Sequence, residues 1–309
     1  MNIDPANQTK LYGHDVHLNS LLKLHKKNQL PNKILFSGEK GIGKSTLAYH
    51  LINCILSYEE NGTYDLKNLK INLENKSFKL IQNKSNPNFI LVDVYEEKKN
   101  IDIGQIRNLI LTLNKSSFNT KPRFVLIDNI ELLNINSVNA LLKILEEPND
   151  NINFILINNN KKILPTLKSR CLNFKISLTY KQSIDITNKI LNENLNNFLN
   201  EEFITNYSTP GQLLRIINFA NINNIDSKNL KLKELISKII LDKKFKKDVS
   251  IKDLIYSLIE LYFRNNVSIK NIELINMYNY FLKKINTTKI FNLDEETLFM
   301  EFKEKILNE

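Results

Sequence analysis

The sequence predicts an α/β domain built on a parallel sheet, followed by all-helical domains. Three observations predict it. Residues 1–175 alternate short, continuously apolar runs with helical stretches. A complete G-x-x-x-x-G-K-[ST] motif stands between the first apolar run and the first helix after it. Beyond about residue 177 the strand-like runs stop while helical periodicity continues. Continuous apolar strands belong to sheets covered on both faces, and strands separated by helices belong to parallel sheets.

The elements follow in order. Ile34-Leu35-Phe36 reads as the first buried strand, and Lys44–Leu56 as the helix behind it. The run 89–94 is the second strand, and Ile103–Leu113 is a helix with apolar residues at helical spacing. The run 124–127 is the third strand, followed by a helix over 137–146 that Pro148 stops. The runs 154–157 and 171–176 make the fourth and fifth strands. Residues 57–86 are polar and break this rhythm, so they read as a surface insertion. Residues 178–221 hold three helical stretches, the last opened by Pro210-Gly211, and 222–228 read as a linker. From Leu230 onward Leu232, Leu235, Ile236, Ile239 and Ile240 share one helix face. The expected domains are therefore 1–176, 177–226 and 227–309.

Composition excludes several classes of protein. At 309 residues, 42% hydrophobic and 25% charged, the chain can bury a core without disulfides or metals. Its two cysteines, Cys54 and Cys171, exclude a disulfide scaffold and a CxxC zinc site. No apolar run approaches the ~18 residues of a membrane span. Residues 1–5 show no basic region leading into an apolar one. A protein of the reducing cytoplasm is expected. Lys+Arg exceeds Asp+Glu by 43 to 33, a formal charge of +10, which favours a polyanionic partner. The stretch Lys243-Lys-Phe-Lys-Lys247 reads as an exposed helix end or loop, with polyanion contact as the second reading. About one residue in six is Asn, spread through periodic segments, which reads as coding bias rather than a low-complexity tract.

The phosphate-loop motif is Gly38-Glu-Lys-Gly41-Ile-Gly43-Lys44-Ser45. Its glycines let backbone N–H groups face a phosphate chain, and the helix start adds partial positive charge. Lys44 can neutralise terminal phosphate oxygens, and Ser45 can ligate Mg²⁺. Thr46 follows on the same helix turn. Asp128 ends the third strand, where a carboxylate holds the Mg²⁺ of a bound nucleotide through water. The next residue is Asn129, and an amide cannot act as a base. Glu131 lies two residues on and points elsewhere unless the chain turns. The site is thus equipped for binding ATP with Mg²⁺ and poorly equipped to cleave it.

Three further stretches carry a resemblance. Residues 139–148, Asn-Ala-Leu-Leu-Lys-Ile-Leu-Glu-Glu-Pro, precede the tripeptide Ser169-Arg170-Cys171, and Leu11-Tyr-Gly-His14 with Leu30-Pro31 leads into the first strand. Their order and spacing over about residues 10–175 resemble the bacterial DNA polymerase III clamp loaders of the AAA+ class. The resemblance implies an AAA+ nucleotide-binding domain, a helical lid domain and a helical collar domain that mediates oligomerisation. Ile101-Asp-Ile-Gly-Gln-Ile-Arg107 and Ile127-Asp128-Asn129-Ile-Glu131 resemble the delta prime subunit. The gamma/tau motor, the alternative, would show Asp-Glu at 128–129 and an arginine in the lid helix. Aligned through Ser208-Thr-Pro-Gly211-Gln, that arginine's position falls on Gly211, with Arg215 one turn later.

The same resemblance implies a hetero-oligomeric ring with motor and clamp-opening subunits, acting on the sliding clamp and primed DNA. It implies that Arg170 reaches in trans to a neighbour's nucleotide, and that Asn159 is the polar sensor of the γ-phosphate. Residues 57–86 lack the four cysteines of a zinc module, so no zinc is expected. Arg107 and Lys143, with Lys115, are candidates for contact with DNA phosphates.

Overall fold

The structure, a computed structural model, describes residues 2–95, 98–115, 119–146, 151–246, 248–267, 271–291 and 293–308. Pro148, expected to stop a helix, and Lys247 of the basic stretch lie outside the described residues. Backbone contacts divide the chain into two units. The first holds residues 1–186 with 209–211, and the second holds 187–208 with 212–309.

In the first unit the strands are β1 (Lys33–Ser37), β2 (Phe89–Val92), β3 (Arg123–Ile127), β4 (Ile152–Asn158) and β5 (Leu172–Lys175). They form one parallel sheet in the order β2-β3-β4-β1-β5. The helices are α1 (Asp15–Lys26), α2 (Lys44–Leu56), α3 (Lys76–Gln82), α4 (Ile103–Leu113), α5 (Ile135–Glu146) and α6 (Pro165–Lys168). Then come α7 (Tyr180–Leu191), within which the division between units falls, and α8 (Pro210–Ile222).

Strand side chains alternate between faces, and here both faces are covered. Ile34, Phe36, Phe124 and Ile155 join Leu18 and Leu21 of α1 and Leu47, Leu51 and Ile52 of α2 in one core. Leu35, Val125 and Phe154 join Ile106 and Leu109 of α4 and Leu141 and Leu145 of α5 in the other. This two-sided burial is why the strands read as unbroken apolar runs. Helix α4 is fixed by a capping box in which Asp102 and Gln105 satisfy each other's backbone N–H groups.

Two expectations need correction. Helix α1 was not among the expected elements. Its signal is short: Leu18, Leu21 and Leu22 at i, i+3 and i+4 between polar residues. Residues 57–86 are not a surface insertion. Tyr64, Ile71, Phe78 and Ile81 are buried in the α2 core. The segment pairs back on the N-terminal residues, with the Leu11 amide donating to the Leu69 carbonyl at 3.0 Å and the Ile71 amide to Thr9 at 2.8 Å. The Glu60 carboxylate accepts from the Ser77 hydroxyl at 2.6 Å and from Lys121 at 3.2 Å. Its few apolar residues are spaced too irregularly to announce their burial.

The second unit is helical, with α9 (Leu232–Leu241), α10 (Val249–Asn266), α11 (Ile272–Phe291) and α12 (Glu295–Phe302) behind α8. All five apolar positions predicted for one face of α9 are buried. Phe263, Phe281, Phe299 and Phe302 are buried, and Phe281 meets Phe302 edge-on at 5.2 Å. In the stretch 222–228 Ile225 and Ser227 are buried, the Ser227 hydroxyl donating to the Phe198 carbonyl at 2.7 Å. The basic stretch is paired, with Lys243 and Lys246 both on Glu296, and Phe245 buried between them in sequence.

Asparagine has structural uses here. Among the described residues Asn28, Asn129, Asn160, Asn192 and Asn224 hold positive φ, where Asn is the best tolerated side chain after Gly. Asn75, Asn194 and Asn200 cap helix N-termini through their side chains.

One buried residue ties the fold to pH. His50 of α2 is fully buried, its Nδ1 accepting from the Tyr64 hydroxyl at 2.8 Å and its Nε2–H donating to the Gln8 carbonyl at 3.1 Å. Both bonds suit the neutral ring, and burial holds its pKa down at about 4. The unfolded chain therefore binds this proton more tightly, and acid favours unfolding. Stability should fall between pH 6.5 and about 4, by about 3 kcal/mol from this group. Denaturant unfolding across that range should show the fall, and His50→Gln should flatten it. An unchanged slope in the variant would assign the acid sensitivity to other groups.

Candidate nucleotide site

The phosphate loop joins the end of β1 to the start of α2, at the C-terminal edge of the sheet. Its glycines have separate reasons. A Cβ on Gly38 would lie 2.2 Å from the Ile176 carbonyl oxygen. Gly41 and Gly43 hold φ of +88° and +90°, which a side chain resists. Gly43 also sits under the His14 ring, whose Nε2–H donates to the Ile42 carbonyl at 2.5 Å. His14 is buried, and burial lowers its pKa, so the ring is held neutral at the base of the loop.

Lys44 is 3% exposed. Its Nζ donates to the Gly38 carbonyl at 2.9 Å and to the Glu39 carbonyl at 2.6 Å. Burial pulls its pKa down to about 8, against the opposing pull of Asp128, Glu131 and Glu39. The Ser45 hydroxyl donates to Asp128 Oδ2 at 2.6 Å, so β3 and α2 are joined across the site. Burial pushes the Asp128 carboxyl up to about 6, and the neighbouring Asp93 adds to that shift. Thr46 is half-buried on the first turn of α2, and its hydroxyl has no partner among the described residues.

Beyond β3 the chain does turn. Asn129 takes φ +54° and begins a 3₁₀ turn over Ile130–Leu132. That turn brings Glu131 back to the site. The Asn159 side chain donates to Glu131 Oε1 at 2.9 Å and to Asn129 Oδ1 at 2.8 Å, and its backbone N–H donates to Glu131 Oε2 at 3.3 Å. Asn129 in turn donates to Asp93 Oδ1 at 2.8 Å. The ends of β2, β3 and β4 are thus laced by Asp93, Asn129, Glu131 and Asn159. Both Glu131 oxygens are engaged in this network. Asn159, rather than Asn158, faces it, since Asn158 folds back on the Lys161 backbone.

The predicted loop residues Gly38, Gly41, Gly43, Lys44 and Ser45 converge with Asp128 and Asn159. Arg170 does not join them. It precedes β5, and β5 runs parallel to β1, so Arg170 lies at the opposite end of the sheet from the loop. There its guanidinium pairs with Glu146 at 2.5 Å and donates to the Thr166 carbonyl at 2.8 Å. Arg107 is exposed on α4 and Lys143 on α5. Sequence reasoning missed Asp93, legible only as an acid ending the second apolar run, and read His14 only as part of the N-terminal stretch and not as a partner of the loop. It also missed why Gly211 is glycine. The Gly211 N–H donates to the Gly41 carbonyl at 2.8 Å, and the Thr209 hydroxyl donates to the Lys40 carbonyl at 2.9 Å. A Cβ on Gly211 would stand 2.7 Å from the Gly41 Cα.

Gly211→Ala should therefore lift this segment off the loop and lower unfolding stability by about 1–3 kcal/mol. Thermal or denaturant melts read the change, and a neutral variant would mean that the contact is dispensable.

Residues 13–179, more than half of the chain, match the family described as DNA polymerase III, delta subunit. DNA polymerase III subunit gamma of Buchnera aphidicola (Schizaphis graminum) is 34% identical over 63% of this chain and 54% of its own length. The chain thus spans about half of that relative. Subunit delta' of the same organism is 26% identical over 86% of this chain and 82% of its own length. Subunit delta' of Pseudomonas aeruginosa is 31% identical over 45% and 40%. The fold matches the crystal structure of a DNA polymerase III gamma subunit-related protein from Thermotoga maritima, with TM-score 0.51, 18% identity and coverage of 92% and 96%. A parallel sheet closed by this phosphate loop, and a family match across residues 13–179, have one reading: the chain belongs to the DNA polymerase III, delta subunit, family of clamp-loader proteins.

Proposed function

We propose that this chain is a delta prime-like subunit of a clamp loader, supporting ATP-dependent placement of the sliding clamp on primed DNA. The observation that carries the reading is Asn129. It stands where a motor would present a water-orienting carboxylate, and its amide is engaged by Asp93 and Asn159. Glu131, the nearest substitute, has both oxygens engaged. The loop still suits ATP with Mg²⁺. Lys44 and the loop amides would hold phosphates, and the converging Ser45 hydroxyl and Asp128 carboxylate would hold Mg²⁺, which neutralises phosphate charge. Thr46 and Asn159 complete the nucleotide contacts. The family resemblance supports nucleotide-binding, lid and collar domains at 1–176, 177–226 and 227–309. It also supports motor and clamp-opening subunits as partners in a bacterial cytoplasm, and a site without zinc. Arg107 and Lys143, exposed on adjacent helices, are the proposed DNA contacts.

Arg170 is the proposed finger. It is half-exposed and far from this chain's own loop, as a group acting on a neighbour must be. An arginine supplied in trans stabilises charge on the transferring phosphoryl group by about 10³–10⁵ in rate. To reach outward it must leave Glu146, an exchange that a surface ion pair permits at small cost. Arg170→Ala should leave assembly with the motor and clamp-opening subunits intact and slow DNA-stimulated ATP hydrolysis at least tenfold. Full turnover in the reconstituted complex would remove the trans role.

The competing reading is a gamma/tau-like motor, favoured by the 34% identity to a gamma subunit. The purified chain should show negligible ATPase activity alone, while calorimetry detects ATP binding that Lys44→Ala abolishes. Turnover near 1 s⁻¹ or above would establish the motor instead.

A further inference from the structure

A second basic feature lies on the opposite face of the sheet from α2. Alternation along β1 and β5 separates the two faces. Phe36 and Phe174 are register partners and meet edge-on at 6.3 Å on the α2 side. Leu35 with Asn173, and Ser37 with Lys175, are the register partners on the other side. There a cavity of about 580 Å³ opens between β1, β5, α6 and the β4–α6 connection. It is lined by Lys161, Lys162, Lys168 and Lys175, over a floor that includes Leu35 and Ile163, and by no carboxylate among the described residues.

Two other lysine pairs meet carboxylates, Lys243 and Lys246 on Glu296, and Lys284 and Lys305 on Glu301. None of the four cavity ammonium groups has a side-chain partner among the described residues. Two more features shape the site. The Ser37 hydroxyl donates to Asn173 Oδ1 at 2.7 Å, which turns the Asn173 amide N–H groups outward from that bond. Asn158 grips Lys161 through both its amide groups, at 3.0 and 3.1 Å, so the lysine-bearing connection is fixed. Asn160, also in the lining, donates to Glu39 of the phosphate loop at 2.7 Å.

We propose that this cavity binds a small ligand bearing a chain of two or more phosphates, apart from the phosphate loop. Its volume suits a nucleotide-sized molecule. Lysines contributed by a loop, a helix and a strand suit a phosphate chain as point charges, and the apolar floor accepts an uncharged ring or chain. A concave site on three elements fits a compact ligand better than an extended backbone. The assignment is independent of the proposed role in clamp loading.

The test uses the full chain carrying Lys44→Ala, which removes the phosphate loop from the measurement. Calorimetry with inorganic tripolyphosphate should show saturable binding of one equivalent. Lys162→Glu with Lys175→Glu should weaken it about tenfold or more, about 1.4 kcal/mol. Lys161→Gln with Lys168→Gln should also weaken it, and serves if the reversal variant fails to fold. Tighter binding of ATP than of tripolyphosphate supports the site and identifies a nucleotide, and equal binding supports it and identifies the phosphate chain alone. No binding to the Lys44→Ala chain, or binding indifferent to these lysines, overturns the proposal. A loss confined to a single-stranded oligonucleotide, with tripolyphosphate unmoved, also overturns it and makes the face a nucleic-acid surface.

Discussion

A cation buried at the start of a helix governs this structure. Lys44 is nearly inaccessible, and a buried ammonium is tolerated only where carbonyls and opposite charges surround it. The loop supplies the carbonyls of Gly38 and Glu39. To do so it must wrap tightly, and the wrap imposes glycine at three points, by close approach to the Ile176 carbonyl at Gly38 and by positive φ at Gly41 and Gly43. The carboxylates come from further away. Asp128 reaches from β3 and Glu131 from the turn behind it, which fixes β3 beside β1 with only β4 between. The turn at Asn129 and the place of Asp128 at the end of β3 bring both carboxylates to bear on one charge.

Much of this was legible because strongly buried elements leave strong signals. The parallel strands are sandwiched, so their apolar runs are continuous, and the phosphate loop is a local motif between two of them. What escaped was dispersed. Residues 57–86 place single apolar residues at irregular intervals in a polar stretch, and their burial depends on pairing with residues 9–11, remote in sequence. Asp93 joins the site only because β2 pairs with β3. Gly211 could be read as a missing arginine but not as a close approach to Gly41, because that contact spans most of the chain. Glu131 illustrates the same limit in the other direction. Residue spacing alone could not say that the chain turns after Asp128, since the turn rests on Asn129 adopting positive φ.

The polar network at the strand ends has a further property. Asp93, Asn129, Asn159 and Glu131 satisfy one another's hydrogen bonds across the ends of three strands. Connected, satisfied networks rigidify, and the same connections make single deletions costly because they strand a partner. Asp128, beside this network, is less well served. Burial and Asp93 push its carboxyl up to about 6, and added positive charge would relieve it.

The abundance of asparagine takes on a different look beside the backbone. With only seven glycines in the chain, five positive-φ positions among the described residues are held by Asn, and others cap helices. These are the sites where a short amide side chain is tolerated with little strain. A drift of codons toward Asn can thus be absorbed at turns and helix starts without eroding the core. At Asn28, Asn192 and Asn224, which are exposed and outside the candidate site, such positions can absorb mutational pressure, whereas Asn129 is tied to its place by hydrogen bonds to Asp93 and Asn159.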